Sequence, residues 1–123
     1  FYDFGSGYGK LVNFFSKFCK KSIGVELVKE KYENSLNYLN ENVFFYNENF
    51  FDHKLNSNCI LLINNLCFGP GTDKRLSLKI FEECSKDDII IVTKKLNLLE
   101  EYFLDYITIE CSWGESEVYF YIL

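Results

Sequence analysis

The stretch Phe1-Tyr2-Asp3-Phe4-Gly5-Ser6-Gly7-Tyr8-Gly9-Lys10 decides the fold, because it reads as a short strand running into a helix through a loop with glycine at every second position. Glycines there permit a tight turn at positive φ and let a flat or charged ligand approach the backbone amides. A dinucleotide fingerprint requires G-x-G-x-x-G, whereas position 10 is lysine and the glycines alternate. Asp3, just ahead of the loop, would repel a pyrophosphate and suits a cationic ligand.

Outward from that loop the chain alternates short apolar runs with helical spacing. Lys10 to Lys21 predicts a helix with Leu11, Phe14, Phe15 and Phe18 inward, and Ser22 to Glu26 a buried strand ending in an acid. Val28 to Glu41 predicts a helix with Tyr32, Leu36 and Leu39 inward, and Val43 to Tyr46 a strand. Cys59 to Asn64 is a strand ending in two asparagines, Thr72 to Cys84 a helix capped by Thr72 or Asp73, and Ile89 to Thr93 a strand. Leu96 to Leu104 reads as a short helix, with Tyr106 to Cys111 and Val118 to Leu123 as a terminal antiparallel pair across Trp113-Gly114. The expected fold is an α/β, Rossmann-like sheet, mostly parallel, with a terminal antiparallel hairpin and helices on both faces.

In such sheets ligands bind at the carboxyl ends of the strands. Glu26 stands at one of those ends, where a carboxylate accepts the ribose hydroxyls of a nucleoside. Asp3, the loop glycines and Glu26 together point to S-adenosylmethionine, a nucleoside with an amino group and a sulfonium centre, rather than to NAD.

Composition bounds the rest. With 123 residues, 48% hydrophobic and 25% charged, residues 1–123 make one domain with a single core. Cys59 to Ile63 and Ile89 to Val92, the longest apolar runs, fall far short of the ~18 residues a membrane helix needs, so a soluble, intracellular protein is expected. The five cysteines (Cys19, Cys59, Cys67, Cys84, Cys111) form no C-x-x-C pair and read as reduced thiols. His53 is the sole histidine and reads as a loop residue, so no metal is expected. A net charge of −5 gives no general field toward nucleic acid, and direct nucleic-acid binding is not expected. The chain has no methionine and opens inside a strand, so further sequence is expected ahead of Phe1.

Asn64-Asn65-Leu66-Cys67-Phe68-Gly69-Pro70 closes the fourth strand. An asparagine amide offers one acceptor and two donors, enough to hold a neutral amine and aim its lone pair at a methyl group, and Phe68 can wall such a site. The loop pattern D-x-G-x-G-x-G followed by a strand ending in Glu26 resembles the seven-stranded S-adenosylmethionine-dependent methyltransferases. N-N-x-x-F-G-P, then Asp73 and Leu76, with Gly24-Val25-Glu26, Asn49-Phe50-Phe51, Ser112-Trp113 and Val118-Tyr-Phe-Tyr121, is similar to the histone-lysine methyltransferases of the disruptor-of-telomeric-silencing (DOT) type.

That resemblance covers nearly the whole chain and implies transfer of methyl to a protein lysine, on a histone or nucleosome. The protein would then be nuclear if eukaryotic and histone-directed, and otherwise cytoplasmic. It implies cofactor binding by Asp3, Gly5, Ser6, Gly7, Gly9, Glu26 and Asn64, with Phe50 stacking on adenine and Asn49 near its amino group. It also implies that Asn64 sits at the mouth of a lysine channel lined by Trp113, Val92 and Phe120. Asn49 stands where the family has an acid, and Phe120 where it has a channel tyrosine, unless Tyr119 or Tyr121 supplies the hydroxyl. Leu62 and Leu66 replace aromatics, and Lys94 a small polar residue. Read without the family, Trp113 serves equally as hairpin packing and Lys94 and Lys95 as solvated charges. The alternatives to a protein-lysine methyltransferase are a nucleic-acid or small-molecule amine methyltransferase and a non-catalytic cofactor-binding module.

Overall fold

The computed structural model describes Phe1–Leu123 and divides into two compact units, Phe1–Lys54 and Leu55–Leu123. The first holds β1 (Tyr2–Phe4), α1 (Lys10–Phe15), β2 (Ser22–Val25), α2 (Lys29–Ser35), a 3-10 turn (Leu36–Tyr38) and β3 (Val43–Tyr46). Its strands are all parallel, with β2 between β1 and β3: Asp3 lies opposite Gly24, and Gly24 opposite Phe45. β1 and β2 are buried along their whole length, the polar Asp3 and Ser22 included, so neither shows the exposed–buried alternation of a half-solvated strand. The core of this unit is Val12, Val43 and Phe45, with Tyr32, Leu36 and Tyr38 packed against it.

The first helix corrects the expected pattern. It ends at Phe15, where the Ser16 hydroxyl bonds back to the Asn13 carbonyl and Asn42 captures the carbonyls of Ser16 and Cys19. Val12 is its buried residue, while Leu11, Phe14 and Phe18 are exposed. Leu39, expected inward, is exposed as well, because the second helix gives way to the 3-10 turn before reaching it.

The second unit holds β4 (Ile60–Ile63), α3 (Pro70–Glu83), β5 (Ile89–Val92), a 3-10 helix (Asn97–Tyr102), β6 (Phe103–Cys111) and β7 (Gly114–Ile122). β4 and β5 are parallel, β7 runs antiparallel along β5, and β6 lies outside β7. α3 begins earlier than expected, with Gly69 as its N-cap and Pro70 at its first position, so neither Thr72 nor Asp73 caps it. Proline is favoured there because its missing N–H would have had no helical partner anyway. Leu76 and Ile80 are buried on this helix. Tyr121 is buried in β7, and its hydroxyl oxygen accepts the Leu96 amide. β6 is exposed over seven of its nine residues, Leu104, Tyr106, Ile107 and Ile109 among them. The seven strands are therefore mostly parallel, with a terminal antiparallel hairpin, and helices follow β1, β2 and β4. No helix is long and apolar enough to cross a membrane.

Candidate functional site

In the first unit the turn after β1 has Gly5, Gly7 and Gly9 all at positive φ (85°, 55° and 81°), a conformation only glycine takes without strain. They differ in what lies beyond them. A side-chain carbon on Gly5 or Gly7 would project into open space, whereas one on Gly9 would meet the Phe45 ring at 2.6 Å and Ser35 at 2.9 Å. Gly5 and Gly7 thus keep one side of the turn bare, while Gly9 lets the chain enter α1 against the core.

Two buried carboxylates face this turn. Glu26, directly after β2, accepts the Gly7 amide at 2.8 Å through one oxygen and the Val28 amide at 2.9 Å through the other. Each oxygen retains a lone pair for a further donor. Asp3 is also buried but makes no hydrogen bond, and burial together with the nearby Glu26 charge pushes its carboxyl up to about 7. The Ser6 hydroxyl, lying against Gly24, is buried without a partner. Asn47, which the sequence reading did not single out, braces the turn after β2 by donating to the carbonyls of Glu26 and Leu27.

Phe50 is half-buried and stacks on Phe4, with centroids 5.2 Å apart. The side-chain oxygen of Asn49 accepts the Phe51 amide at 3.0 Å, so its acceptor serves its own turn and its amide nitrogen is what it can offer outward. His53 is a loop residue, as expected, with its ring packed: it pairs through Nδ1 with Glu48 at 2.5 Å and lies among the rings of Tyr2, Phe4 and Tyr46. An uncompensated buried acid, an orphaned hydroxyl and a bare glycine turn fit a cationic nucleoside such as S-adenosylmethionine.

In the second unit the paired asparagines divide their work. Asn65 is fully buried: its oxygen accepts the amides of Thr93 (3.1 Å) and Lys94 (2.8 Å), and its nitrogen donates to Asp73 (3.2 Å) and the Lys94 carbonyl (3.0 Å). It clamps the end of β4 to the end of β5. Asn64 is exposed, and its oxygen accepts the Thr93 hydroxyl at 2.8 Å and the Leu66 amide at 3.3 Å. Lys94 forms an ion pair with Asp73 at 2.6 Å and donates to the Phe68 carbonyl, so its charge is matched locally.

Beside them lies an open cleft of about 510 Å³, lined by Leu66, Thr93, Lys94, Thr108, Trp113, Glu115, Ser116, Glu117 and Tyr119. Leu66 rather than Phe68 lines it; Val92 is fully buried; and Phe120 points to the other face of β7, because side chains alternate along a strand. Tyr119 brings a hydroxyl to this cleft. That hydroxyl donates to Glu117, and the bond, with some burial, pushes the phenol up to about 12. Trp113 is exposed at the cleft, not packed into the hairpin.

No protein-family model matches the chain, and neither does any curated protein sequence. Among solved structures, it is similar to an RNA methyltransferase from Salinibacter ruber in complex with S-adenosyl-L-homocysteine, with a TM-score of 0.78 and 16% identity, over 98% of this chain and 78% of that one. It is also similar to the N-methyltransferase NodS from Bradyrhizobium japonicum WM9, with a TM-score of 0.80 and 4% identity, over 98% of this chain and 83% of that one. The chain has the Rossmann-like methyltransferase fold.

Proposed function

We propose that the chain binds S-adenosylmethionine and transfers its methyl group to an amine nitrogen. The observation that carries this reading is the buried, unbonded Asp3 carboxyl beside a glycine turn whose Gly5 and Gly7 face open space. A carboxyl in that setting is costly unless a positively charged ligand compensates it. The bound cofactor would supply an electrophilic methyl group on a sulfonium sulfur. Asp3, Ser6 and the Gly5 to Gly9 turn would hold its charged end, the free lone pairs of Glu26 would take ribose hydroxyls, and Phe50 would offer a ring to adenine.

A neutral amine is already a nucleophile, so the protein's task on the acceptor side is alignment and exclusion of water. Asn64 would accept an amine N–H in exchange for the Thr93 hydroxyl it now holds. Glu115 and Glu117 on the cleft, with the exposed Trp113 face, favour an acceptor that arrives as a cation, as a lysine does before losing its proton to solvent. A protein lysine is therefore the finer reading, and the N-N-x-x-F-G-P motif makes a histone or nucleosome the first substrate to try.

A second reading, an amine on RNA, is favoured by the activity named for the Salinibacter ruber protein. The acidic lining of the cleft and the net charge of −5 weigh against a polyanion. The deciding experiment supplies radiolabelled cofactor with nucleosomes, core histones, RNA and free amines. Label in histone lysine supports the first reading and label in RNA alone the second. Tight binding of S-adenosylhomocysteine with no transfer to any acceptor would leave a non-catalytic cofactor-binding module.

A further inference from the structure

Cys59 is remote in sequence from Cys84 and Asp88, which flank one short connection, and the three meet where three elements of the second unit end or begin. Cys59 directly precedes β4, Cys84 is the C-cap of α3, and Asp88 directly precedes β5. One sulfur from each cysteine and one carboxylate oxygen lie within 4.8 Å of one another. Cys59 and Asp88 are buried, Asp88 completely, and Cys84 is half-exposed.

The carboxylate is the telling member. Its oxygens accept the Cys59 amide at 2.6 Å and the Ser85 amide at 2.7 Å, and no cationic side chain bonds to it. Those amides fix its orientation toward the two thiols, as outer hydrogen bonds fix the ligands of metal centres. A fully buried carboxylate held only by neutral donors, beside two sulfurs, forms a ligand set in need of positive charge.

We propose that Cys59, Cys84 and Asp88 form a site for a thiophilic divalent cation of the zinc type. Zinc takes sulfur at ~2.3 Å and carboxylate oxygen at ~2.0–2.2 Å, which sets sulfurs about 3.8 Å apart around a tetrahedral ion. The three ligand atoms, all within 4.8 Å of one another, stand close to that spacing. On binding, the two S–H protons leave to solvent, two metal–sulfur bonds and one metal–oxygen bond form, and no electrons are transferred. A water molecule reaching the half-exposed Cys84 side completes the fourth position. The ion would tie the end of α3 to the starts of β4 and β5, a structural role independent of methyl transfer.

The test uses the reduced full chain. After zinc loading and desalting, one zinc per chain is expected by emission spectrometry, with a rise in Tm, and cobalt in its place should give a thiolate-to-metal charge-transfer band. Cys84→Ser should weaken zinc by at least about 100-fold in competition with a chromophoric chelator, since losing even an outer partner of a ligand costs about 10–100-fold. Cys67→Ser, at an exposed cysteine, should change nothing. The cobalt spectrum needs no variant, so the test stands even if a substitution unfolds the chain. The proposal is overturned by retention of zinc in Cys84→Ser or by the absence of both bound zinc and a charge-transfer band. A chain lighter by two hydrogens with only three titratable thiols would also overturn it, because the pair would then be a disulfide.

Discussion

The carboxylate of Glu26 accepts the backbone amide of Gly7 across 2.8 Å, so the acid that follows β2 and the turn that follows β1 are one bonded assembly. Its other oxygen holds the Val28 amide, which sets the start of α2. Glu26→Gln keeps the shape but turns an N–H₂ toward one of two N–H donors. Leaving a buried donor unmade costs about 1–3 kcal/mol. The expected result is a lower Tm in calorimetric unfolding together with weaker S-adenosylhomocysteine binding by titration. An unchanged Tm would show that the bond does not brace the turn.

Gly7 and Gly9 should separate binding from folding. Gly7→Ala places a methyl in open space at a φ of 55°, at a backbone cost of about 1–2 kcal/mol. Its main effect should be loss of cofactor affinity. Gly9→Ala drives a carbon into Phe45 and Ser35 beside the core, adding about 1–3 kcal/mol of overpacking to similar strain. Denaturant unfolding should find Gly9→Ala clearly the less stable of the two. Equal stability would contradict the geometry.

Asp3 predicts a pH signature. Its carboxyl is raised from 3.8 to about 7, by burial first and Glu26 second, so the folded chain keeps a proton that the unfolded chain has already lost. The Asp3 contribution to stability is complete below about pH 4 and falls as pH rises toward 7, by up to about 1.4 kcal/mol per pH unit. Above 7 it is flat. Asp3→Asn should remove that slope. A cationic ligand stabilises the charged form, so binding near pH 6.5 should release a fraction of a proton. Titration calorimetry in buffers of different ionisation enthalpy reads this release, and Asp3→Asn should abolish it.

The asparagine pair should show opposite phenotypes. Asn65→Ala strands the amides of Thr93 and Lys94, at about 1–3 kcal/mol each, and should lower Tm strongly. Asn64→Ala, at an exposed side chain, should hardly move Tm or cofactor affinity yet reduce kcat by a factor of order 100 through lost alignment of the amine. Equal losses in affinity and turnover would remove Asn64 from catalysis.

Strand signals were the most legible part of the sequence. Val43 to Tyr46 has the bounds expected of it, and Cys59 to Asn64 contains the observed Ile60–Ile63, because short apolar runs bounded by polar residues have few alternatives. Helix faces were less legible. Leu11, Phe14 and Phe18 share a helical stripe with correct spacing, but a helix of six residues buries little, and Val12 is the side chain that fills the core. Spacing alone also could not show that Asn65 turns inward and Asn64 outward, or that Tyr119 rather than Phe120 reaches the cleft, since a strand's register is set by its partners. Cys59, Cys84 and Asp88 carried no local pattern at all, and only the junction of α3 with two strand starts brings them together.

The order β5, β7, β6 imposes a timetable on the growing chain. A ribosome delivers β6 before β7, yet β7 is the strand that seals β5, so Ile89–Val92 waits with one edge open until the later strand emerges. The Ser112–Trp113 turn joins β6 and β7 locally, and hairpins of this kind close within about 1–10 μs, so the pair should arrive at β5 already joined. Synthesis arrested between Glu110 and Gly114 would leave an aliphatic strand edge and an unpaired β6 exposed together, the state a holding chaperone would have to protect.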